Sequence, residues 1–217
     1  MGLMTDAANI LGGTAREFDQ TVAIKAAGWG SSNVASRGGA WASGTGLSGG
    51  VCQGLVLLYV ANGGDWDAFL TKFVSPSGMA MVRGAMNLNL EADRTGAFGR
   101  AVWSNFRDML AQFVKAFGGP NFSGSYIQAN DGTAAQGGAK FAKKRPGIYH
   151  LLIYGGFGGH SLGIVNRGPG STVSFFDPNY GELTLPGKVE LSNFSQWLLS
   201  SKYPGVTRWI VMRYPLP

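Results

Sequence analysis

Residues 147–185, GIYHLLIYGGFGGHSLGIVNRGPGSTVSFFDPNYGELTL, decide the fold class. Apolar and β-branched runs alternate with glycine clusters, the pattern of short strands joined by tight turns, so three or four antiparallel strands are expected. Upstream the period changes. Val51 to Asn62 is apolar nearly all round, which predicts a central helix buried on every side and ended by Gly63 and Gly64. Asp65 then reads as the N-cap of a second helix, with Trp66, Phe69, Leu70 and Phe73 at i, i+3, i+4 and i+7. Ser75-Pro76 opens a third helix that carries Met79, Val82 and Met86 on one face. Residues 95–117 predict a fourth, with Phe98, Val102, Phe106, Leu110, Phe113 and Phe117, stopped at Gly118-Gly119-Pro120. A loop rich in Gly, Ser and Asn leads into the strands. Beyond them Ser192 is read as the cap of a helix with Phe194, Trp197 and Leu198 inward, and VTRWIVMRY, 206–214, closes the chain as a strand. Helices followed by an antiparallel sheet make an α+β protein.

The N-terminal quarter is weaker. Residues 14–27 predict a short helix, and 28–50 are rich in Gly, Ser and Ala, like a linker or a draped arm. Trp29 and Trp41 are expected to pin that arm to the body by burial. The division expected is therefore a flexible or draped arm over 1–50 and one domain over 51–217.

Of the 217 residues 45% are hydrophobic and 14% charged, which excludes disorder throughout. Lys and Arg exceed Asp and Glu by 18 to 12, and the net +6 makes an anionic membrane surface a candidate partner. The basic loop AKFAKKRPG, with Lys140, Lys143, Lys144 and Arg145, lacks interleaved stacking aromatics and reads as solvated surface, so nucleic acid is not an expected partner. The single cysteine excludes an internal disulfide and a cysteine zinc cluster, and His150 and His160 are too few to supply a structural zinc site. No nucleotide or flavin motif is present, and GGFGG lies between strands rather than before a helix, so no cofactor is expected. The first twenty residues lack a charged n-region and a long h-region, so no Sec-type signal is expected, and no apolar run approaches the ~20 residues that span a bilayer.

The chemistry turns on Cys52. A lone cysteine is most often a small buried hydrophobe. Gly49 and Gly50 immediately precede this one, which sets it in the first turn of the central helix, where unpaired N–H groups and the positive end of the dipole favour a thiolate. The same N–H groups can donate to an oxyanion on an attacked carbonyl. A thiolate needs a base, and histidine has the suitable pKa. If Arg167 to Gly170 form the hairpin loop, Asn166 pairs with Ser171 and His160 lies opposite Asp177, close enough for the carboxylate to orient the imidazole. By the same counting across YGGFGG, His150 opposes Gly163 and faces the other way, as a buried polar residue without a catalytic role. Asp177 precedes Pro178 and is expected both to extend the strand and to start the DPNYG turn. Cys52, His160 and Asp177 thus read as nucleophile, base and orienter.

On these residues the chain resembles a family. GGVCQGL, GGHSLGIV and FFDPNYGE are similar to the three motifs of the YopT/AvrPphB family of bacterial effector cysteine proteases, a branch of the papain-like fold. The resemblance covers about 130 residues, from Cys52 to Glu182. It implies a Cys-His-Asp triad carried by Cys52, His160 and Asp177, export by a specialised secretion system without a cleaved signal, and action on host proteins in the host cytoplasm. One departure stands out: the family usually has Asn or Gln a few residues before the cysteine as an oxyanion donor, and SGTGLSGGV, 43–51, has neither. Backbone N–H groups or the hydroxyl of Ser43 or Ser48 would have to serve. Two rivals keep the scaffold and change the function: a glutamine or asparagine deamidase using the same triad, and a catalytically silent membrane- or protein-binding module.

Overall fold

The computed structural model describes residues 2–26, 49–94, 103–121, 126–129, 145–156 and 158–217. The expected α+β architecture is observed. In chain order the elements are α1 (Leu3–Leu11), β1 (Thr14–Glu17), α2 (Gln20–Ala26), α3 (Gly49–Ala61), α4 (Trp66–Phe73), α5 (Pro76–Arg94), α6 (Trp103–Ala116), β2 (Tyr126–Ala129), β3 (Gly147–Gly155), β4 (Gly158–Asn166), β5 (Val173–Asp177), β6 (Gly181–Leu185), α7 (Lys188–Lys202) and β7 (Val206–Tyr214). The strands form one sheet in the order β1-β6-β5-β4-β3-β7-β2, every pair antiparallel.

The period-2 alternation of the strands splits the apolar residues between two cores. On one face Ile148, Leu152, Val165, Phe176, Ile210 and Met212 pack with α3 and its neighbouring helices. On the other, Tyr149, Leu151, Leu162, Ile164, Phe175 and Val211 pack with α1 and α7. Helix α3 runs through the first core, and Leu55 to Val60 are all 0% exposed. Burial of each such side chain is worth roughly 1.5–3 kcal/mol of transfer free energy, so this helix is the best-anchored helix of the site. Gly54 is what lets α5 lie so close: a Cβ there would meet the backbone of Val82 at 2.9 Å. Gly63 and Gly64, at φ +72° and +67°, then end the helical stretch in the left-handed region that favours glycine, and Asp65 caps α4 by accepting from the Ala68 N–H.

Several sequence expectations need correction. The short helix expected over 14–27 is divided: Thr14–Glu17 add a strand to the edge of β6, and only then does α2 begin, with the Asp19 carboxylate accepting from the N–H groups of Thr21 and Val22. The open ladder edge of β6 overrides the local preference of four residues. The helix α1 was not anticipated at all, yet Met4 is 0% exposed in the second core. Residues 2–26 are thus built into the sheet and both cores, with Phe18 edge-on to Trp66, Phe69 and Phe73. The rest of the expected arm, with Trp29 and Trp41, lies outside the described residues, as do Phe98, Val102 and Lys140, Lys143 and Lys144. The loop expected before residue 147 contains β2, paired with β7. Finally, α7 starts at Lys188 behind Gly187, not at Ser192, and Trp197 is 48% exposed, because Leu191, Phe194, Ser195 and Leu198 form the inward stripe.

Candidate active site

Three elements converge at one end of the sheet. Cys52 lies in the first turn of α3, His160 on β4, and Asp177 is the last residue of β5. They are brought together: Cys52 and His160 share a side-chain hydrogen bond, and His160 Nε2 lies 2.8 Å from Asp177 Oδ1. With Nε2 held by the carboxylate, the ring nitrogen left for the sulfur is Nδ1. All three side chains are nearly out of solvent, at 1%, 6% and 0% exposure.

Register explains how His160 reaches Asp177. The β3–β4 hairpin pairs as counted, with His150 against Gly163. The β4–β5 hairpin does not. Asn166 pairs with Val173 rather than Ser171, so the loop is two residues longer than RGPG, and His160 and Asp177 are diagonal neighbours instead of a directly opposed pair. Asn166 causes the extension by turning back on its own loop, where its Oδ1 accepts from the Gly168 N–H, while the Gly168 carbonyl accepts from Ser171. A shift of two residues leaves every side chain on its face, which is why the contact survives.

Asp177 is held from several directions. Its Oδ1 also accepts the Asn179 N–H at 2.9 Å, an Asx-turn made by the DPN sequence, and its Oδ2 accepts the Tyr203 hydroxyl at 2.7 Å. Tyr203, just past the end of α7, also stacks on the His160 ring at 4.7 Å between centroids and 20° between planes. Its hydroxyl oxygen accepts from Asn179 Nδ2 at 3.0 Å, and Asn179 Oδ1 in turn accepts from Gln20 Nε2. Gln20 also donates its backbone N–H to the Pro178 carbonyl, so α2 grips the turn that carries Asp177. Asn179 carried a signal in the sequence, as part of DPN. Tyr203 and Gln20 carried none, for they lie 26 residues from Asp177 and 159 from Asn179.

The electrostatics separate the two histidines. Burial disfavours a charged His160, but the Asp177 carboxylate, the Cys52 sulfur and the hydrogen bonds to both outweigh it and raise its pKa from 6.5 to about 10. His150 is equally buried and, among the described residues, hydrogen-bonds the Ser161 hydroxyl at 3.3 Å, with no carboxylate to offset burial, which lowers its pKa to about 3. Tyr203 is pushed far above the ordinary phenol range by burial and by the Asp177 carboxylate, so its hydroxyl stays protonated and donating. A cysteine sulfur hydrogen-bonded to an imidazole, with a fixed carboxylate behind the ring, can together perform acyl transfer through sulfur.

Residues 128–206 match the Peptidase C58 family model, the Yersinia/Haemophilus virulence surface antigen family. The chain resembles this virulence peptidase family. The matched span includes His160, Asp177 and Tyr203 and stops short of Cys52. Among solved structures, the Pseudomonas avirulence protein AvrPphB is similar in fold, with a TM-score of 0.56 at 16% identity over 75% of this chain and 90% of that chain. PatoxP, a cysteine protease-like domain of the Photorhabdus asymbiotica toxin PaTox, aligns with a TM-score of 0.46 at 11% identity, over 97% of this chain and 56% of that one. Among curated proteins no sequence matches. The fold is cysteine protease-like. No helix among the described residues is long and apolar enough to cross a membrane. A separate groove of about 580 Å³ between α1 and α7, floored by Leu3, Ala7, Leu11 and Phe194, holds none of the three reactive side chains.

Proposed function

We propose that this chain is a cysteine protease that cleaves peptide bonds of host proteins, with Cys52 as nucleophile, His160 as acid and base, and Asp177 as orienter. The observation that carries the reading is the continuous hydrogen-bonded line from the sulfur of a helix-terminal cysteine through an imidazole to a buried carboxylate. The imidazole, whose pKa is raised to about 10, takes the thiol proton as the sulfur becomes the attacking thiolate. The thiolate attacks the scissile carbonyl carbon, forming a C–S bond, and the oxyanion is received by N–H groups of the first turn of α3. As the C–N bond breaks, His160 Nδ1 gives its proton to the leaving amine. Water then attacks the thioester, returning a proton to Nδ1 and releasing the acid and the thiolate. The virulence family matched over 128–206 supports a secreted bacterial effector working in the host cell.

The test is to incubate host-cell lysate with the wild type and with Cys52→Ala and to sequence all protein termini. New termini that require Cys52 are expected. Cys52-dependent deamidation of Gln or Asn without new termini would replace proteolysis by hydrolysis of a side-chain amide, and the absence of both would remove the enzymatic reading.

A further inference from the structure

We infer that Tyr203 is a positioning residue for this reaction, an inference that rests on the proposed thiol chemistry: its ring fixes the plane of His160 while its hydroxyl fixes the carboxylate of Asp177. The ring lies nearly parallel to the imidazole, 4.7 Å away, and the hydroxyl donates to Asp177 Oδ2 at 2.7 Å. The direction of that donation is set by a third group. Asn179 Nδ2 donates to the Tyr203 oxygen at 3.0 Å, so the hydroxyl hydrogen is left for the carboxylate. Tyr203 is 6% exposed and keeps its proton, so it is neither a base nor an acid in the reaction.

The consequence is mechanical. His160 stands on β4 and Asp177 at the end of β5, and their hairpin pairing runs no nearer to them than Gly163 and Phe176. The register puts the two on one face as diagonal neighbours, but it does not by itself fix the rotation of the imidazole against the carboxylate. A wall that stacks on one and binds the other removes the ring rotation that would carry Nδ1 away from the sulfur. The charged and titratable groups around it are Asp177, His160 with Cys52 behind it, and Tyr180, whose own hydroxyl is raised by burial and by Asp177.

Cys52 is the only cysteine, so alkylation reads the pair without a known substrate. The readout is the iodoacetamide rate of the full chain at pH 6 relative to pH 9, a ratio in which access to the sulfur cancels. An unassisted thiol with a pKa of ~8.5 slows more than about a hundredfold at pH 6, and a sulfur paired with His160 is expected to slow less, which makes the wild-type ratio the reference for the variants. Tyr203→Phe keeps the stacked ring and is expected to lower the ratio roughly threefold to tenfold, and Tyr203→Ala, which loses ring and hydroxyl, further still. In an Asp177→Asn background Tyr203→Phe should add less than about twofold, because its target is already altered, a coupling that a purely structural tyrosine does not produce. Circular dichroism verifies folding, and if Tyr203→Ala does not fold, Tyr203→Phe and the double variant carry the test. Wild-type ratios in Tyr203→Phe, or full multiplication of its effect with that of Asp177→Asn, overturn the inference while the triad stands. A His160→Ala ratio equal to that of the wild type overturns the triad and the inference together.

Discussion

His150 and His160 sit on the two strands of one hairpin, both almost wholly buried, yet burial alone decides only one of them. His150 has a serine hydroxyl for company and is driven to a pKa of about 3. His160 has a carboxylate at 2.8 Å and a sulfur on its other side and is held at about 10. The difference is made by partners, not by solvent exposure, and it turns one imidazole into neutral core and the other into a stored proton. Strand alternation gives them these separate surroundings. His150 shares a face with Ile148 and Leu152, which pack under α3, whereas His160 meets Tyr203 and Asp177.

The largest expected effect is on turnover. On a substrate found by the terminus search, His160→Ala is expected to lower turnover by about 10²–10⁴-fold, since it removes the proton shuttle. His150→Gln, which keeps a polar partner for Ser161, should leave turnover near the wild-type level. Asp177→Asn should fall between, because an amide oxygen still accepts the imidazole N–H but no longer carries the charge that holds its proton. Loss of activity on changing His150 but not His160 would invert the comparison and remove the assignment of both.

A smaller effect, spread over pH, concerns stability. His150 has a folded pKa below the unfolded value of 6.5, so as pH falls from 6.5 towards 3 the unfolded chain takes up a proton that the folded chain refuses, and stability drops by on the order of 4 kcal/mol. His160 has the opposite sign: its contribution is complete below pH 6.5 and is lost as pH rises from there through about 10. Urea unfolding across pH 4–10 should therefore show a shallower acid limb in His150→Gln and a shallower alkaline limb in His160→Ala. An acid limb unchanged in His150→Gln would mean that His150 accepts a proton in the folded state.

Much of this was legible in the sequence, and the failures have physical causes. The β3–β4 register followed from the glycine pairs of YGGFGG, which mark a short connection between two apolar runs, and Gly155 pairs with Gly158 as that count requires. The β4–β5 register did not, because counting cannot show that Asn166 folds back on Gly168 and lengthens the loop by two. The error was harmless only because it was even; a slip of one would have put Asp177 on the face of Phe176. The helix carrying Cys52 was legible from its all-round apolarity, whereas β1 and β2 were not, since each is four residues whose strand state is supplied by the edge it joins. Tyr203 and Gln20 were out of reach for the same reason at greater range. Their roles exist only where α7 and α2 come back to the turn after β5.

The most direct test of the central claim is the titration of the two imidazoles by nitrogen NMR in the intact chain, with His150→Gln and His160→Ala to assign them. At pH 7 one ring should be a full imidazolium with both nitrogens protonated and the other neutral, and neither should change between pH 5 and pH 8. His160→Ala should remove the cation and His150→Gln the neutral ring. Two rings titrating together near pH 6.5 would contradict the account, because neither would then differ from a histidine in water.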